Sequence, residues 1–208
     1  MRSPAPILLF LDENPEKSAT YLTNFILKKS VERACQVLMC SIYYVLGFRT
    51  KTIFRHYFSK DRWHETKFTY LPKYPLDTIP KYTFYTSVEA RWCRKCLQHY
   101  NYVSKYFSAM LDEWFYRFGK EHPLEEMREF LMTFPMEHSV ATGVLMPSLK
   151  DKSKMQFPWK NLPLKYRRKD IVSGYRAYYR HIVPSNTLFD GTRRDVPEFM
   201  VEREELMA

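Results

Sequence analysis

The sequence predicts a mainly α-helical protein with a single domain over residues 1–208, two long amphipathic helices, a short N-terminal strand and long ordered loops. Two stretches, residues 15–46 and 88–118, carry apolar residues at helical spacing. Glycine is scarce, at 5 of 208 residues, whereas β-sandwiches and barrels need many tight turns. Hydrophobic residues make up 45% of the chain, which is enough for a sizeable core.

The first elements are the strand and the first long helix. The apolar run PILLFL at residues 6–11 predicts a short buried strand or extended segment. Asn14 followed by Pro15 is typical of a helix start, because the asparagine side chain can cap the helix and proline suits its first turn. We expect this helix to end before Gly47. Its apolar stripe comprises Leu22, Phe25, Cys35, Leu38, Ile42 and Val45.

Residues 49–87 form a basic and aromatic excursion within the domain. The stretch is too hydrophobic for a disordered linker. We expect a short helix near residues 53–58 and extended pieces around Pro72, Pro75 and Pro80.

The second long helix contains a Cys-x-x-Cys pair, Cys93 and Cys96. A zinc site needs two further ligands, and the only other cysteines, Cys35 and Cys40, lie on the first helix. A redox pair belongs at a helix N-terminus after a strand. We therefore predict core thiols, with no metal and no other cofactor, and keep zinc and redox roles as alternatives. The apolar stripe of this helix comprises Trp92, Cys96, Tyr100, Val103, Phe107, Met110 and Trp114.

Two further helices are predicted in the C-terminal half. A short amphipathic helix follows Pro123, and residues 134–163 are expected to be irregular. The last helix starts at Asp170, whose side chain can cap it. Its apolar stripe comprises Val172, Tyr175, Tyr179 and Ile182.

The charge indicates an anionic partner. The formal net charge is +10, which favours nucleic acid or acidic protein surfaces. Bases concentrate around the last predicted helix and in the loop after it. The candidate site for nucleic acid or an acidic partner comprises Arg167, Arg168, Lys169, Arg176, Arg180, Arg193 and Arg194.

No motif indicates catalysis. The chain has no glycine-rich phosphate loop, no His-Glu-x-x-His and no Gly-x-Ser-x-Gly, so we predict no catalytic residues. The six histidines are scattered along the sequence. The carboxylate pairs Asp12 with Glu13 and Glu125 with Glu126 lie at or near predicted helix starts, where negative charge is favoured. Glu113 is expected to form a helix ion pair with Arg117. Aromatic residues make up 17%, and most of them are expected in the core.

Several motifs follow one another in an order that resembles a known family. They are FLDENP at 10–15, Ala34 to Leu38 around Gln36, RWCRKCLQHYNYV at 91–103, DEWFYRFGKEH at 112–122, LPLKYRRKDIVSGYRAYYRH at 162–181 and RRDVPEF at 193–199. This order resembles a family of small proteins from tailed phages and large DNA viruses, which has no established activity. The resemblance implies a virus-encoded protein.

The chain departs from the family pattern at polar positions. The family's Asp-Lys-His corresponds here to Asn24, Phe25 and Ile26, and a family glutamate falls on Arg33, with Glu32 adjacent. Its Asn-His-Pro before the tryptophan falls near Thr86 and Ser87. A His-x6-Glu helix is also similar to pyrimidine-dimer DNA glycosylases, but this chain lacks both residues in register. The resemblance therefore implies a binding or structural role rather than chemistry.

Three functions follow from these patterns. The first is a virus-encoded, non-enzymatic basic protein that binds nucleic acid or an acidic viral protein without sequence specificity. The second is a minor or internal virion component that contacts neighbouring proteins. The third is a degenerate DNA-processing, glycosylase-like enzyme. The longest apolar stretch is about 12 residues, too short to cross a bilayer. The N-terminal run PILLFL is short and is followed at once by Asp12 and Glu13, which is not typical of a signal peptide, and the four cysteines suit reduced thiols. We therefore expect a protein of the host cytoplasm or nucleus, or of the virion, and not a secreted one.

Overall fold

The computed structural model describes residues 6–45, 51–56, 62–67, 87–134, 157–183 and 186–201. Helices dominate these ranges, so the predicted mainly α-helical class is confirmed. The helices are α1 (Pro15–Thr20), α2 (Asn24–Val45), α3 (Val88–Cys93), α4 (Leu97–Phe118), α5 (residues 128–134), α6 (Ile171–Ile182) and α7 (Glu198–Val201). Short 3-10 helices cover Glu125–Met127, Leu164–Tyr166 and Asn186–Phe189.

The first predicted long helix is broken in two. Asn14 caps α1 as expected, because its Oδ1 accepts the backbone N–H groups of Glu16 at 2.8 Å and Lys17 at 3.3 Å. The helix then ends at Thr20 and restarts at Asn24. At the break, the N–H of Thr23 donates to the hydroxyl of Tyr179 at 2.8 Å. The prediction of one continuous helix over residues 15–46 is therefore wrong.

The second predicted long helix is also broken. The hydroxyl of Ser87 caps α3 by accepting the N–H of Ala90 at 3.0 Å, and α3 ends at Cys93. Cys96 occupies the N-cap position of α4 with an extended backbone. The Cys-x-x-Cys pair thus spans a helix junction and does not lie inside one helix. The long helix α4 ends, as predicted, at Gly119, whose φ is 66°.

Helix α4 is the central element of the core. It packs against α1, α2 and α3, which confirms the predicted packing of the two long helices. The predicted stripe from Trp92 to Met110 is buried. Trp114, however, is only half-buried, and its ring packs against Phe118 and His122. Tyr102 and Tyr106 add a second buried face.

Two other predicted stripe residues face solvent. Phe25 is 62% exposed, since Leu27 and Val31 occupy the inner face at the start of α2. Ile182 is also exposed, at the last turn of α6.

The N-terminal segment, residues 6–11, is buried but irregular. The predicted strand is wrong, because helices surround the segment and offer no strand edge. Side chains bind its backbone instead: Ile7 N–H donates to Glu89 Oε1 at 2.6 Å, and Leu9 O accepts the Tyr106 hydroxyl at 3.0 Å. Phe10 packs against the rings of Trp92, Tyr102, Phe157 and Tyr175.

Helix α6 closes the other side of this segment. Asp170 caps it as predicted, accepting the N–H groups of Val172 at 3.1 Å and Ser173 at 3.0 Å. Hydrogen bonding from the Ser173 hydroxyl is the largest cause that lowers the pKa of Asp170. Gly174 lets α6 approach the 3-10 helix Leu164–Tyr166, since a Cβ there would lie 2.5 Å from the Tyr166 carbonyl oxygen.

A pair of antiparallel strands lies where a short helix was predicted. Strand β1 (Lys51–His56) pairs antiparallel with β2 (Arg62–Lys67), with Lys51 opposite Lys67 and His56 opposite Arg62. The β-branched residues Thr52 and Ile53 and the aromatic Phe54 in β1 favour a strand over the predicted helix near 53–58. The extended pieces predicted around Pro72, Pro75 and Pro80 lie outside the described residues.

Candidate nucleic-acid interface

The bases predicted on α6 bind the fold itself. Arg176 Nε donates to the carbonyl oxygen of Leu11 at 2.7 Å, and its Nη2 pairs with Asp12 at 3.0 Å. Arg180 Nη1 donates to the carbonyl oxygen of Phe199 at 2.9 Å. These two arginines fasten the N-terminal segment and α7 to α6, so much of their hydrogen-bonding capacity is used internally.

The bases before α6 divide into two kinds. Arg167 donates from Nε to the carbonyl oxygen of Leu162 and from Nη2 to that of Lys160, both at 2.8 Å. Its guanidinium also lies over the Trp159 ring, 5.1 Å from the centroid. Arg168 and Lys169 are exposed at the start of α6.

The bases after α6 lie against the end of α4. Tyr116 and Arg193 bind each other twice: the Tyr116 hydroxyl donates to the Arg193 carbonyl oxygen at 3.0 Å, and Arg193 Nη1 donates to the Tyr116 carbonyl oxygen at 3.2 Å. Arg193 adopts a φ of 57°, which is uncommon for a residue with a side chain. Arg194 lies over the Tyr116 ring at 4.2 Å and pairs with Glu113 at 2.8 Å.

Glu113 and Arg117 form a buried ionic pair beneath this contact. Arg117 Nε lies 2.6 Å from Glu113 Oε1, which is the helix ion pair that the sequence predicted. The remaining Arg117 donors reach the carbonyl oxygens of Leu22 at 2.6 Å and Thr20 at 3.1 Å. These are carbonyls freed by the break between α1 and α2. Arg117 therefore holds the start of α2 against the end of α4.

This junction creates a surface of exposed rings and bases that we call the basic–aromatic surface. Its exposed rings are those of Phe25 (62% exposed), Phe115 (56%) and Tyr116 (43%). The surface comprises Phe25, Lys28 and Lys29 from α2; Phe115, Tyr116, Phe118 and Lys120 at the end of α4; and Arg193 and Arg194 from the loop.

Cation–ring contacts link the surface. Lys29 Nζ lies 4.0 Å from the centroid of the Phe25 ring, and Lys28 Nζ lies 5.4 Å from that of Phe118. Each ammonium group is attracted electrostatically to the negative face of the ring. Glu32, one turn after Lys28, and Asp195, next to Arg194, border the surface and reduce its positive potential locally.

The structure brings only two of the seven predicted site residues, Arg193 and Arg194, to this surface. The sequence pattern does not show the α2 contribution, because Phe25 fits the apolar stripe of that helix. The neighbouring bases Lys28 and Lys29 were the available signal, since they lie one turn from Phe25 and favour an outward-facing first turn.

The thiols are buried in the core. Burial raises the pKa values of Cys35 and Cys93 to about 12, which keeps both protonated at neutral pH and poorly reactive. Within the described ranges, no three His, Cys, Asp or Glu side chains are grouped so that they could hold a metal ion. The absence of zinc on Cys93 and Cys96 stays a prediction.

The buried histidines have structural contacts. His99 Nδ1 lies 2.8 Å from the carbonyl oxygen of Trp92, and the two rings stack. His122 Nδ1 accepts the N–H of Leu124 at 3.1 Å, and its ring packs edge-on against Trp114. Burial is the largest cause that lowers the pKa of both, which favours neutral rings.

Comparisons with known proteins give no match. No protein-family model, no curated protein and no solved structure significantly matches this chain. In the part of the chain that the structure describes, no helix combines the length and the apolar character needed to cross a membrane.

Proposed function

We propose that this chain is a non-enzymatic, virus-encoded protein that binds nucleic acid without sequence specificity through its basic–aromatic surface. The observation that carries the proposal is the junction of α2, α4 and the loop at 191–194, which places exposed rings among five bases. The viral origin is supported by the order of motifs from FLDENP at 10–15 to RRDVPEF at 193–199.

Electrostatics supplies the affinity in this proposal. Each phosphate that a lysine or arginine neutralises releases counterions, so log affinity falls with log salt by about 0.9 per contact on duplex DNA and about 0.7 on single strands. Lys28, Lys29 and Lys120 carry unit charges on flexible stems, and they can follow a phosphate backbone of any sequence. The surface contains no element placed to read base edges in a groove, so we expect weak binding, roughly micromolar at physiological salt.

The test is binding of a fluorescent oligonucleotide over a salt series. We expect Lys28→Gln combined with Lys29→Gln to reduce the salt slope by about one to two units and to leave the thermal midpoint nearly unchanged. The matched control is Lys17→Gln with Lys105→Gln, which removes the same charge from exposed positions on α1 and mid-α4. The control should keep the wild-type slope.

Two outcomes would overturn the proposal. One is no binding at low salt, which would direct attention to acidic proteins as the partner. The other is an equal loss of slope in both double variants, which would mean that net charge alone, and not this surface, attracts the oligonucleotide.

A second candidate function, a minor or internal virion component, is favoured by a different surface. Leu164 is 79% exposed, and the exposed ring of Trp159 lies nearby, beside Arg167. Exposed apolar side chains near a base suit a protein–protein contact. Proteomics of purified particles tests this role: a stoichiometric presence would support it, and absence from the particles would exclude it.

A further inference from the structure

We infer that the ligand of the basic–aromatic surface is single-stranded nucleic acid, whose unpaired bases stack on Phe25, Phe115 and Tyr116. The inference rests on the proposed function and specifies its ligand class. It concerns three rings that the electrostatic argument does not use.

The placement of these rings differs from that of most aromatic residues in the described ranges. Phe10, for example, is fully buried and touches four other rings. Phe25 and Phe115, by contrast, expose more than half of their surface. Burying apolar surface is favourable by about 25 cal/mol per Å². A ligand that covers both rings would therefore gain this free energy.

The rings lie next to the basic side chains along the surface. Phe25 lies one turn before Lys28 and Lys29, and Lys28 reaches the ring of Phe118. Phe115 lies one helical turn before Phe118 on α4. The surface therefore runs across both helices, with ammonium groups beside the rings.

Tyr116 follows Phe115 in α4 and lies on the side of the helix that contacts the loop. Its hydroxyl donates to the Arg193 carbonyl oxygen at 3.0 Å, which fixes the ring, and the guanidinium of Arg194 lies 4.2 Å from the ring centroid. A fixed, partly exposed ring with a guanidinium on it stacks a base at little entropic cost.

Aromatic rings and basic side chains together distinguish single-stranded from double-stranded nucleic acid. In a duplex both faces of each base are covered by stacked neighbours, so only the phosphates are accessible to such a surface. In a single strand the faces are open, and base–aromatic stacking contributes about 1–3 kcal/mol per base. We therefore expect the protein to bind a single strand at least tenfold more tightly than a duplex of equal length.

The experiment compares three probes of equal length at one salt concentration: a single strand, its duplex, and a single strand with abasic sites. The variant is Phe25→Leu with Phe115→Leu, which keeps an apolar side chain and removes the aromatic faces. We expect it to lose at least tenfold affinity for the ordinary single strand and little for the duplex or the abasic strand.

The matched control is Tyr44→Leu. Tyr44 is also an exposed ring on α2 with an arginine, Arg94, over it at 4.2 Å. It lies 19 residues from Phe25, or about 28 Å along the helix. This control should bind all three probes like the wild type.

The outcomes separate the inference from the function on which it rests. Equal wild-type affinity for the three probes, with a salt slope that falls in the lysine double variant, would overturn the single-strand inference and leave the proposed function standing. An unchanged affinity of the phenylalanine variant for the single strand would also overturn it. No binding to any probe would overturn the proposed function itself.

Discussion

At the scale of the residue, three arginines satisfy backbone carbonyls at helix breaks, at helix ends and in the N-terminal segment. Arg117 binds carbonyls at the break between α1 and α2, Arg176 binds the N-terminal segment, and Arg180 binds α7. The guanidinium suits this task because it offers five donors in a planar fork. Part of the basic composition that indicated a polyanion partner therefore serves the fold.

Replacing Arg117 tests this role. Arg117→Met should lower the free energy of unfolding by about 3–5 kcal/mol, because Glu113 stays buried with a weakened set of partners. Urea denaturation measures the change. Arg128→Met is the matched control: Arg128 pairs with Asp112 and Glu125 in partly exposed positions, so its loss should cost at most about 1 kcal/mol. Equal costs for the two variants would contradict the structural role of the buried pair.

Glu89 gives a prediction for pH. Burial is the largest cause that raises the pKa of this carboxyl, which accepts the N–H of Ile7. Because the folded-state pKa is the higher one, the stabilising contribution is complete below the ordinary glutamate pKa and is lost as pH rises through the folded value. Glu89→Gln removes this dependence.

Thermal midpoints of both proteins between about pH 4 and pH 8 provide the measurement. The difference in thermal midpoint, wild type minus variant, should fall steadily with rising pH. The other titratable groups are the same in both proteins, so their contributions to the pH dependence cancel in the difference. A difference independent of pH would refute the assignment.

At the scale of the element, the sequence predicted local features and missed those set by distant contacts. The sequence predicted the two helix caps, Asn14 and Asp170, and the helix end at Gly119, because each depends on neighbours within one turn. The break after α1 could not be predicted from the sequence. Arg117, which binds the backbone carbonyls at the break, lies 95 residues from Leu22. The basic–aromatic surface was only partly predictable, since the pattern of α2 does not show where α4 ends.

Gly174 tests the contact between α6 and the 3-10 helix Leu164–Tyr166. Helix propensity alone predicts that Gly174→Ala stabilises α6 by about 1 kcal/mol. The Tyr166 carbonyl oxygen, 2.5 Å from the new Cβ, opposes this, and we expect a net loss of about 1–3 kcal/mol.

Urea denaturation measures the net effect. Asn101→Ala, at an exposed position of α4, should be neutral or slightly stabilising and serves as the control. A stabilised Gly174→Ala variant would mean that the two helices do not approach as closely as described.

At the scale of the whole molecule, polar contacts connect distant parts of the chain. Ile7 binds Glu89, Leu11 binds Arg176, and Thr23 binds Tyr179. These contacts cross the core between the N-terminal segment, the central helices and α6. We therefore expect the described helical part to unfold as one cooperative unit.

Phe199 tests how far the C-terminal segment belongs to that unit. Its ring lies 5.4 Å from that of Tyr21 and 6.3 Å from that of Tyr179. Phe199→Ala should cost about 3–5 kcal/mol and should raise hydrogen exchange across residues 196–201. Phe25→Ala, at an exposed position, should change stability by at most about 0.5 kcal/mol. A small cost at Phe199, with unchanged exchange, would show that α7 contributes little to the fold.

The N-terminal segment has a further consequence, for protein synthesis. Its backbone partner Arg176 follows Leu11 by 165 residues, and a ribosome adds about 5–20 residues per second. The apolar run at residues 6–11 therefore waits roughly 10–30 s after its own translation before that partner exists. During this interval its native site is incomplete, although its partners Glu89 and Tyr106 are translated earlier, and we expect it to be a target for chaperones on the nascent chain. Folding of this protein should accordingly be completed only after most of the chain has left the ribosome.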